Sequence, residues 1–290
     1  MTYRVIVGNS LEKLKELEDK SVQCVITSPP YWQKRDYGND EQIGLEDSPW
    51  EFIDKMVLVF KEIYRVLKDD GIVWLNIDDS YTVSGKNGGQ SNTTKWKQAS
   101  NVGSQIKPQN KVPEGLKRKE LCLVPHRLAI RMQEEIGFYL RTDIIWHKLA
   151  AMPDSVLDRP SRNHEYIFLF SKSDTYFYDI EKTMKLNKSG EKVRLRTVWD
   201  VNKSMGFNDG TSHYATYPKE LIIPCLLSGS REGDTILDPF NGSGTTGVVA
   251  IENKRNYIGI ELNPEYAKMS EDRLKNTQAK TSFTEDLFED

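Results

Sequence analysis

The chain has 290 residues, 38% of them hydrophobic and 29% charged, with a net charge of -3. That composition supports a packed core and argues against global disorder, and the length suits one large α/β domain with insertions or two small ones. Cys24, Cys122 and Cys225 show no paired spacing, which excludes a disulfide framework and a cysteine-based zinc site. No apolar run approaches the roughly 20 residues that span a bilayer, and no leader pattern opens the chain, so a cytoplasmic protein with no membrane partner is expected.

Short apolar, β-branched runs predict strands over 3–7, 23–27, 71–77, 137–146, 166–170, 235–237 and 257–260. Each is bounded by glycine or polar residues, the pattern of buried parallel strands. Helical spacing predicts helices over 11–17, 49–67, 124–135, 218–228, 247–253 and 264–274, some with proline in the first turn, where a missing N–H costs least. Strands alternating with helices imply a doubly wound sheet with right-handed crossovers.

Two polar segments break the alternation, residues 81–119 and 183–212. Between Tyr81 and Glu120 lie eight basic side chains, among them Lys95, Lys97, Lys117 and Arg118, against two acidic ones. The acidic residues Glu285, Asp286, Glu289 and Asp290 offset them at the C-terminus. Segregated charge, more than net charge, steers a polyanion. The second segment carries Arg194, Arg196 and Lys203.

Near the C-terminus, Asp238-Pro239-Phe240-Asn241 leads into Gly242-Ser243-Gly244-Thr245-Thr246-Gly247. The spacing G-x-G-x-x-G between a strand and a helix lets backbone approach a ligand whose anionic group sits at the helix N-terminus. Two ligands compete. A nicotinamide cofactor would place its pyrophosphate there. S-adenosylmethionine would place its carboxylate there, with Asp238 for its ammonium and Glu261, at the end of the next strand, for its ribose hydroxyls. The Asp-Pro-Phe lead-in favours the second.

Near the N-terminus, Thr27-Ser28-Pro29-Pro30-Tyr31 closes an apolar run. Two prolines fix φ and remove backbone donors, which leaves the Ser28 hydroxyl and the Pro29 carbonyl as acceptors on a rigid turn. An exocyclic amino nitrogen is a poor nucleophile because its lone pair is delocalised into the ring. A catalyst must accept its hydrogens and draw it towards tetrahedral geometry, and such preorganisation requires no covalent intermediate. Tyr31 supplies a face for a base flipped out of the duplex.

Together these motifs resemble the DNA amino-methyltransferases, in the permuted beta class whose catalytic loop precedes the cofactor loop. The resemblance implies a mostly parallel seven-stranded, Rossmann-like sheet with two polar insertions, S-adenosylmethionine as cofactor and double-stranded DNA as partner. It implies a catalytic set of Ser28, Pro29, Pro30 and Tyr31. Its cofactor set is Asn9, Tyr217, Asp238, Pro239, Phe240, Gly242, Gly244, Thr245 and Glu261. The family often carries Gly-Asp where this chain has Gly8-Asn9. Serine before Pro-Pro-Tyr is typical of N4-cytosine enzymes, with N6-adenine as the alternative; a non-catalytic DNA-binding module of the same fold is a rival of another class.

The expected organisation is a catalytic part over 1–80 and 121–182, a basic DNA-contacting insertion over 81–120 and a target-recognition segment over 183–212. A cofactor part over 213–277 and an acidic tail over 278–290 complete it. DNA contacts are expected from Lys34, Arg35, Lys95, Lys97, Lys117, Arg118, Arg194, Arg196 and Lys203. Arg35 and Asp36 either help close the loop over the base or pair with each other. A cognate restriction endonuclease and a homodimeric arrangement are open to such a protein. Asp78-Asp79 should border the pocket, Cys225 should be a core thiol, and no metal is expected, since His126, His147, His164 and His213 lack ligand spacing.

Overall fold

The computed structural model describes residues 1–82, 112–151, 156–186, 189–202 and 217–286. The chain runs β1 (Tyr3–Val7), α1 (Ser10–Lys15), β2 (Val22–Thr27), α2 (Pro49–Val66), β3 (Leu67–Ile77) and α3 (Val124–Arg131). Then come β4 (Tyr139–His147), β5 (His164–Ser171), β6 (Met184–Leu186), β7 (Lys192–Arg194) and β8 (Val198–Asp200). Helix α4 (Lys219–Gly229), β9 (Thr235–Asp238), α5 (Thr245–Glu252), β10 (Asn256–Glu261) and α6 (Pro264–Asp286) complete it.

One sheet takes the strands in the order β1-β10-β9-β2-β3-β5-β4-β8, while β6 and β7 form a separate hairpin. The seven expected strands are all present, and β8 adds an eighth at the edge, parallel to β4. The sheet is mostly parallel, as expected, and its exception is β5, which runs antiparallel to both β3 and β4. Strand β4 is not buried throughout: its first residues alternate between exposed and half-buried positions.

Local chemistry explains the helices. In α2, Pro49 occupies the first turn and the Ser48 hydroxyl accepts the Glu51 N–H at 3.2 Å, an N-cap that satisfies an otherwise orphaned donor. Phe52, Met56, Val59, Phe60 and Ile63 then face the sheet. After α3 the helix widens into a π-turn, Met132–Ile136, and stops at Gly137 with φ of 93°.

The sheet is covered on both faces. On one, Leu14, Phe60 and Leu128 from α1, α2 and α3 pack on Val25, Val73 and Phe168. On the other, Leu221, Val249 and Leu274 from α4, α5 and α6 pack on Ile26, Trp74 and Ile236. Cys24, Val25 and Ile26 of β2 alternate between these cores, and all six positions of the strand are buried.

The topology fixes where a ligand can sit. From β2 the chain winds through α2 to β3 on one side; from β9 it winds through α5 to β10 on the other. The winding direction therefore reverses between β2 and β9, which pair in parallel with Cys24 opposite Ile236 and Val25 opposite Leu237. Open α/β sheets bind ligands beyond the carboxyl ends of strands at such a switch point. The two motif loops are the segments that leave those ends.

Gly247 sets the spacing of α5 on β10. A Cβ there would lie 2.5 Å from Cε1 of Tyr257 and 2.7 Å from Cδ2 of Leu274, and both side chains are buried. Gly247→Ala is therefore expected to lower stability by about 1–3 kcal/mol through overpacking, measured as a reduced urea midpoint. An unchanged midpoint would mean that the helix moves away without cost.

Candidate active site

Asp238 joins the two motif loops. Its carboxylate is buried, and burial pushes its pKa up while four donors counter that shift. Thr27 Oγ1 donates to Oδ1 at 2.7 Å and Phe240 N–H donates to the same oxygen at 3.1 Å. Thr246 Oγ1 donates to Oδ2 at 2.7 Å, and the Tyr217 hydroxyl reaches that oxygen at 3.2 Å. Thr27 is the residue before Ser28, so one carboxylate ties the end of β2 to the end of β9. Its lone pairs are taken up by protein donors; an ammonium would reach it by displacing one, and the longest contact is that of Tyr217.

The glycine loop is held from three sides. Glu261, at the end of β10, accepts from Gly242 N–H through Oε2 at 2.7 Å and from Asn263 N–H through Oε1 at 2.9 Å. Burial pushes its carboxyl pKa up. Ser10 Oγ donates to the Pro239 carbonyl at 2.5 Å, and the Tyr257 hydroxyl donates to Asn241 Oδ1 at 2.7 Å. Gly242 and Gly244 adopt φ of 51° and 80°. A Cβ on Gly244 would lie 2.2 Å from Ser270 Oγ, whereas one on Gly242 meets no atom within 4 Å among the described residues.

The loop ends in a helix start suited to an anion. Helix α5 has no side-chain cap, so its first N–H groups point outward. The Thr245 hydroxyl is buried without a hydrogen-bond partner among the described residues, and a buried polar atom left so is costly unless a ligand satisfies it. These features fit the carboxylate of an amino-acid-bearing cofactor. Asn9 lies close by in sequence to Ser10, but its Oδ1 caps α1 by accepting the Leu11 N–H at 3.0 Å, so only the amide side of its side chain is left for a ligand.

The Ser28–Tyr31 turn rests on a buried polar network. Ser28 Oγ donates to the Tyr31 hydroxyl at 3.1 Å. That hydroxyl lies 2.7 Å from Glu165 Oε2 and 3.2 Å from Asn76 Oδ1. Burial, then the Glu165 charge, push the Tyr31 phenol well up, so it stays protonated. Behind the turn, Trp32 is buried with its Nε1–H on the Glu46 carbonyl at 2.9 Å. Gly44, with φ of 113°, brings the returning loop to within contact of Pro30. The prolines are thus clamped from behind, and the turn is rigid.

Of the DNA-contact candidates, Lys34 lines a pocket beside this turn. Lys34 reaches Asp78 at 3.5 Å, and Arg162 donates to the same carboxylate at 2.8 Å. Asp78, Lys34, Arg162, His164 and Lys148 line a cavity of about 250 Å³, so Asp78 borders a pocket as expected. Asp36 accepts from Gly38 N–H at 2.8 Å, a local turn that leaves Arg35 on the loop beside the cleft. Lys117 and Arg118 are exposed in the turn that precedes the bridge of Tyr81 to Leu121. Arg194 is exposed on β7 and Arg196 just before β8. Lys95, Lys97, Lys203 and His213 lie outside the described residues.

Several functional contacts escaped sequence reading. Thr27, Thr246 and Ser10 join the loops, and Asn76, Glu165 and Lys148 anchor Tyr31. The signal available was polarity at apolar strands: Asn76 interrupts a run that otherwise reads as core, and Glu165 immediately precedes another.

The fold and cleft are those of a methyltransferase, and the comparisons give the family. Residues 22–272 match the family model described as DNA methylase. The chain is 48% identical over 268 residues to type II methyltransferase M.Cfr9I of Citrobacter freundii, covering 92% of this chain and 86% of that protein. It is 46% identical to type II methyltransferase M.SmaI of Serratia marcescens, covering 93% and 90%. Among solved structures, PvuII DNA methyltransferase (cytosine-N4-specific) superposes with a TM-score of 0.69 at 22% identity, covering 97% of this chain and 93% of that one. An M1.HpyAVI-SAM complex matches with a TM-score of 0.57 at 19% identity, covering 94% and 99%.

The chain therefore belongs to the DNA methylase family, as an amino-methyltransferase of the permuted class that uses S-adenosylmethionine. No described helix is long and apolar enough to cross a membrane.

Cysteine plays no part in this cleft. Cys24, Cys122 and Cys225 are all buried; burial pushes the Cys122 thiol up to about 12 and the other two upward as well. Cys225 lies within α4 against the core, as expected from its sequence context. Since the thiolate is the reactive form, iodoacetamide at neutral pH should label none of the three in the native enzyme and all three in urea. Native labelling that abolished activity would contradict this arrangement.

Proposed function

We propose that this enzyme methylates the exocyclic N4 of cytosine within a specific site in double-stranded DNA, as the modification partner of a type II restriction endonuclease. The observation that carries the choice of base is Ser28, whose hydroxyl hydrogen is directed onto Tyr31, leaving its lone pairs free as acceptors. Serine at this position is the pattern of N4-cytosine enzymes in the family, and the PvuII relative is described as cytosine-N4-specific.

S-adenosylmethionine, when bound, supplies an electrophilic methyl group on a sulfonium sulfur. The chain's residues do the rest. The N-terminus of α5 and the Thr245 hydroxyl receive the carboxylate, Asp238 with Tyr217 receives the ammonium, and Glu261 receives the ribose hydroxyls. Asn9, Pro239 and Phe240 border the adenine end. Ser28 Oγ and the Pro29 carbonyl accept the two hydrogens of the target amine, which draws its lone pair out of conjugation. Tyr31, fixed by its hydroxyl, offers its ring to the flipped base. Methyl transfer to the oriented amine would form the N–C bond as the S–C bond of the sulfonium breaks, leaving a neutral thioether, and the amine would give up one proton to solvent. Lys34, Arg35, Lys117 and Arg118 position the phosphate backbone together with Lys95 and Lys97, and Arg194, Arg196 and Lys203 belong to the target-recognition segment.

Three measurements check the reading. DNA from cells expressing the protein, digested to nucleosides and weighed by mass spectrometry, should contain N4-methylcytosine; N6-methyladenine instead would move the activity to the other base. Ser28→Ala should lower kcat on the order of 10²-fold, the size of effect seen when one preorganised hydrogen-bonding group is removed, while cofactor binding is kept. Binding to a duplex should weaken steeply as salt rises from 50 to 200 mM, as expected when several basic side chains release phosphate counterions. A flat response would remove the basic residues from the interface.

A further inference from the structure

Behind the Ser28–Tyr31 turn lies a buried carboxylate, Glu165, bonded to the Tyr31 hydroxyl. Glu165 sits at the start of β5, 7% exposed, and Asn76 at the end of β3, 5% exposed. Lys148 makes an ion pair with Glu165 Oε1. Asn76 Nδ2 donates to Glu165 Oε2 and to the Tyr166 carbonyl, each at 3.1 Å. With both amide hydrogens on acceptors, the Asn76 amide has one orientation, with Oδ1 towards Tyr31.

We propose that Glu165 is a positioning residue: it takes the phenolic hydrogen of Tyr31, so that Tyr31 must accept from Ser28 and the serine lone pairs are left for the target amine. The inference rests on the amino-methylation reading of Ser28 and Tyr31 given above.

The hydrogen inventory leads to this direction. An ionised carboxylate only accepts, and a phenol has one hydrogen. Glu165 Oε2, at 2.7 Å, is the nearer and charged acceptor for that hydrogen, and Asn76 Oδ1 at 3.2 Å is the weaker one. Once the phenol hydrogen is so placed, the phenol oxygen faces Ser28 Oγ as an acceptor. The serine hydrogen then points away from the cleft. Lys148 holds the far oxygen of the carboxylate and so keeps Oε2 aimed at Tyr31. Without Glu165 the serine hydrogen is free to point at the amine, where it would repel the hydrogens that must be accepted.

The test is a double-mutant cycle on the full-length enzyme with duplex DNA and S-adenosylmethionine. Glu165→Gln supplies an amide that can donate to the phenol and reverse the chain. It should lower kcat on the order of 10-fold, the scale of one charge-assisted hydrogen bond, with KM for DNA and for the cofactor unchanged. Tyr31→Phe keeps the ring and removes the relay, so it should lower kcat similarly, and Glu165→Gln should cost nothing further in the Tyr31→Phe background. Lys148→Met, run in parallel in case Glu165→Gln does not fold, should show the same dependence on the Tyr31 hydroxyl. Wild-type kcat in Glu165→Gln, or an equal loss in both backgrounds for either variant, would overturn the proposal. If Ser28→Ala is also fully active, the failure lies in the amine-acceptor reading; if Ser28→Ala is impaired, it lies with Glu165 alone.

Discussion

The hydrogen bond from Thr27 to Asp238 is the contact on which the rest of the site depends. It spans 211 residues of sequence and 2.7 Å of space. Strands β2 and β9 are neighbours only because the winding reverses between them, and at that reversal the loops leaving both strands must diverge. The carboxylate of Asp238 counters the divergence by taking donors from both sides. A buried charge is costly unless its hydrogen bonds are complete. Here Thr27, Thr246, Tyr217 and Phe240 N–H complete them. The same four contacts therefore stabilise an otherwise unfavourable charge and fix the distance between the glycine loop and the Ser28–Tyr31 turn.

Around that joint the site divides in two, and the function proposed here assigns binding to one side and orientation to the other. The β9–β10 side is made of backbone: positive-φ glycines, an uncapped helix start and one acidic side chain per strand end. The β2–β3–β5 side is made of side chains, in which Ser28, Tyr31, Asn76 and Glu165 form one connected chain of hydrogen bonds. Rigidity differs accordingly. The first requires close approach, hence glycine; the second requires fixed hydrogen directions, hence buried amide and carboxylate partners.

What could be read in the sequence divides along physical lines. The seven strands, the six helices and the two motif loops were legible because periodicity and turn chemistry are local. The antiparallel sense of β5 was not, since alternation of apolar residues carries no direction. Strand β8 was missed because three residues with one buried side chain, Trp199, give no periodic signal. At the site, Asp238 and Glu261 were legible from their place after strands. Their partners were not: Thr27 reads as a strand residue, and Glu165 lies 134 positions from the phenol it serves. Asn9 shows the reverse case, a site candidate whose oxygen is spent on capping its own helix.

A crystal structure with S-adenosylmethionine bound would show whether the two loops serve one ligand. The ligand carboxylate should lie at the N-terminus of α5 beside Thr245, with the sulfonium methyl directed across the Thr27–Asp238 joint towards Ser28 Oγ and the Pro29 carbonyl. A ligand bound away from the switch point, or one whose methyl faced away from that turn, would contradict it.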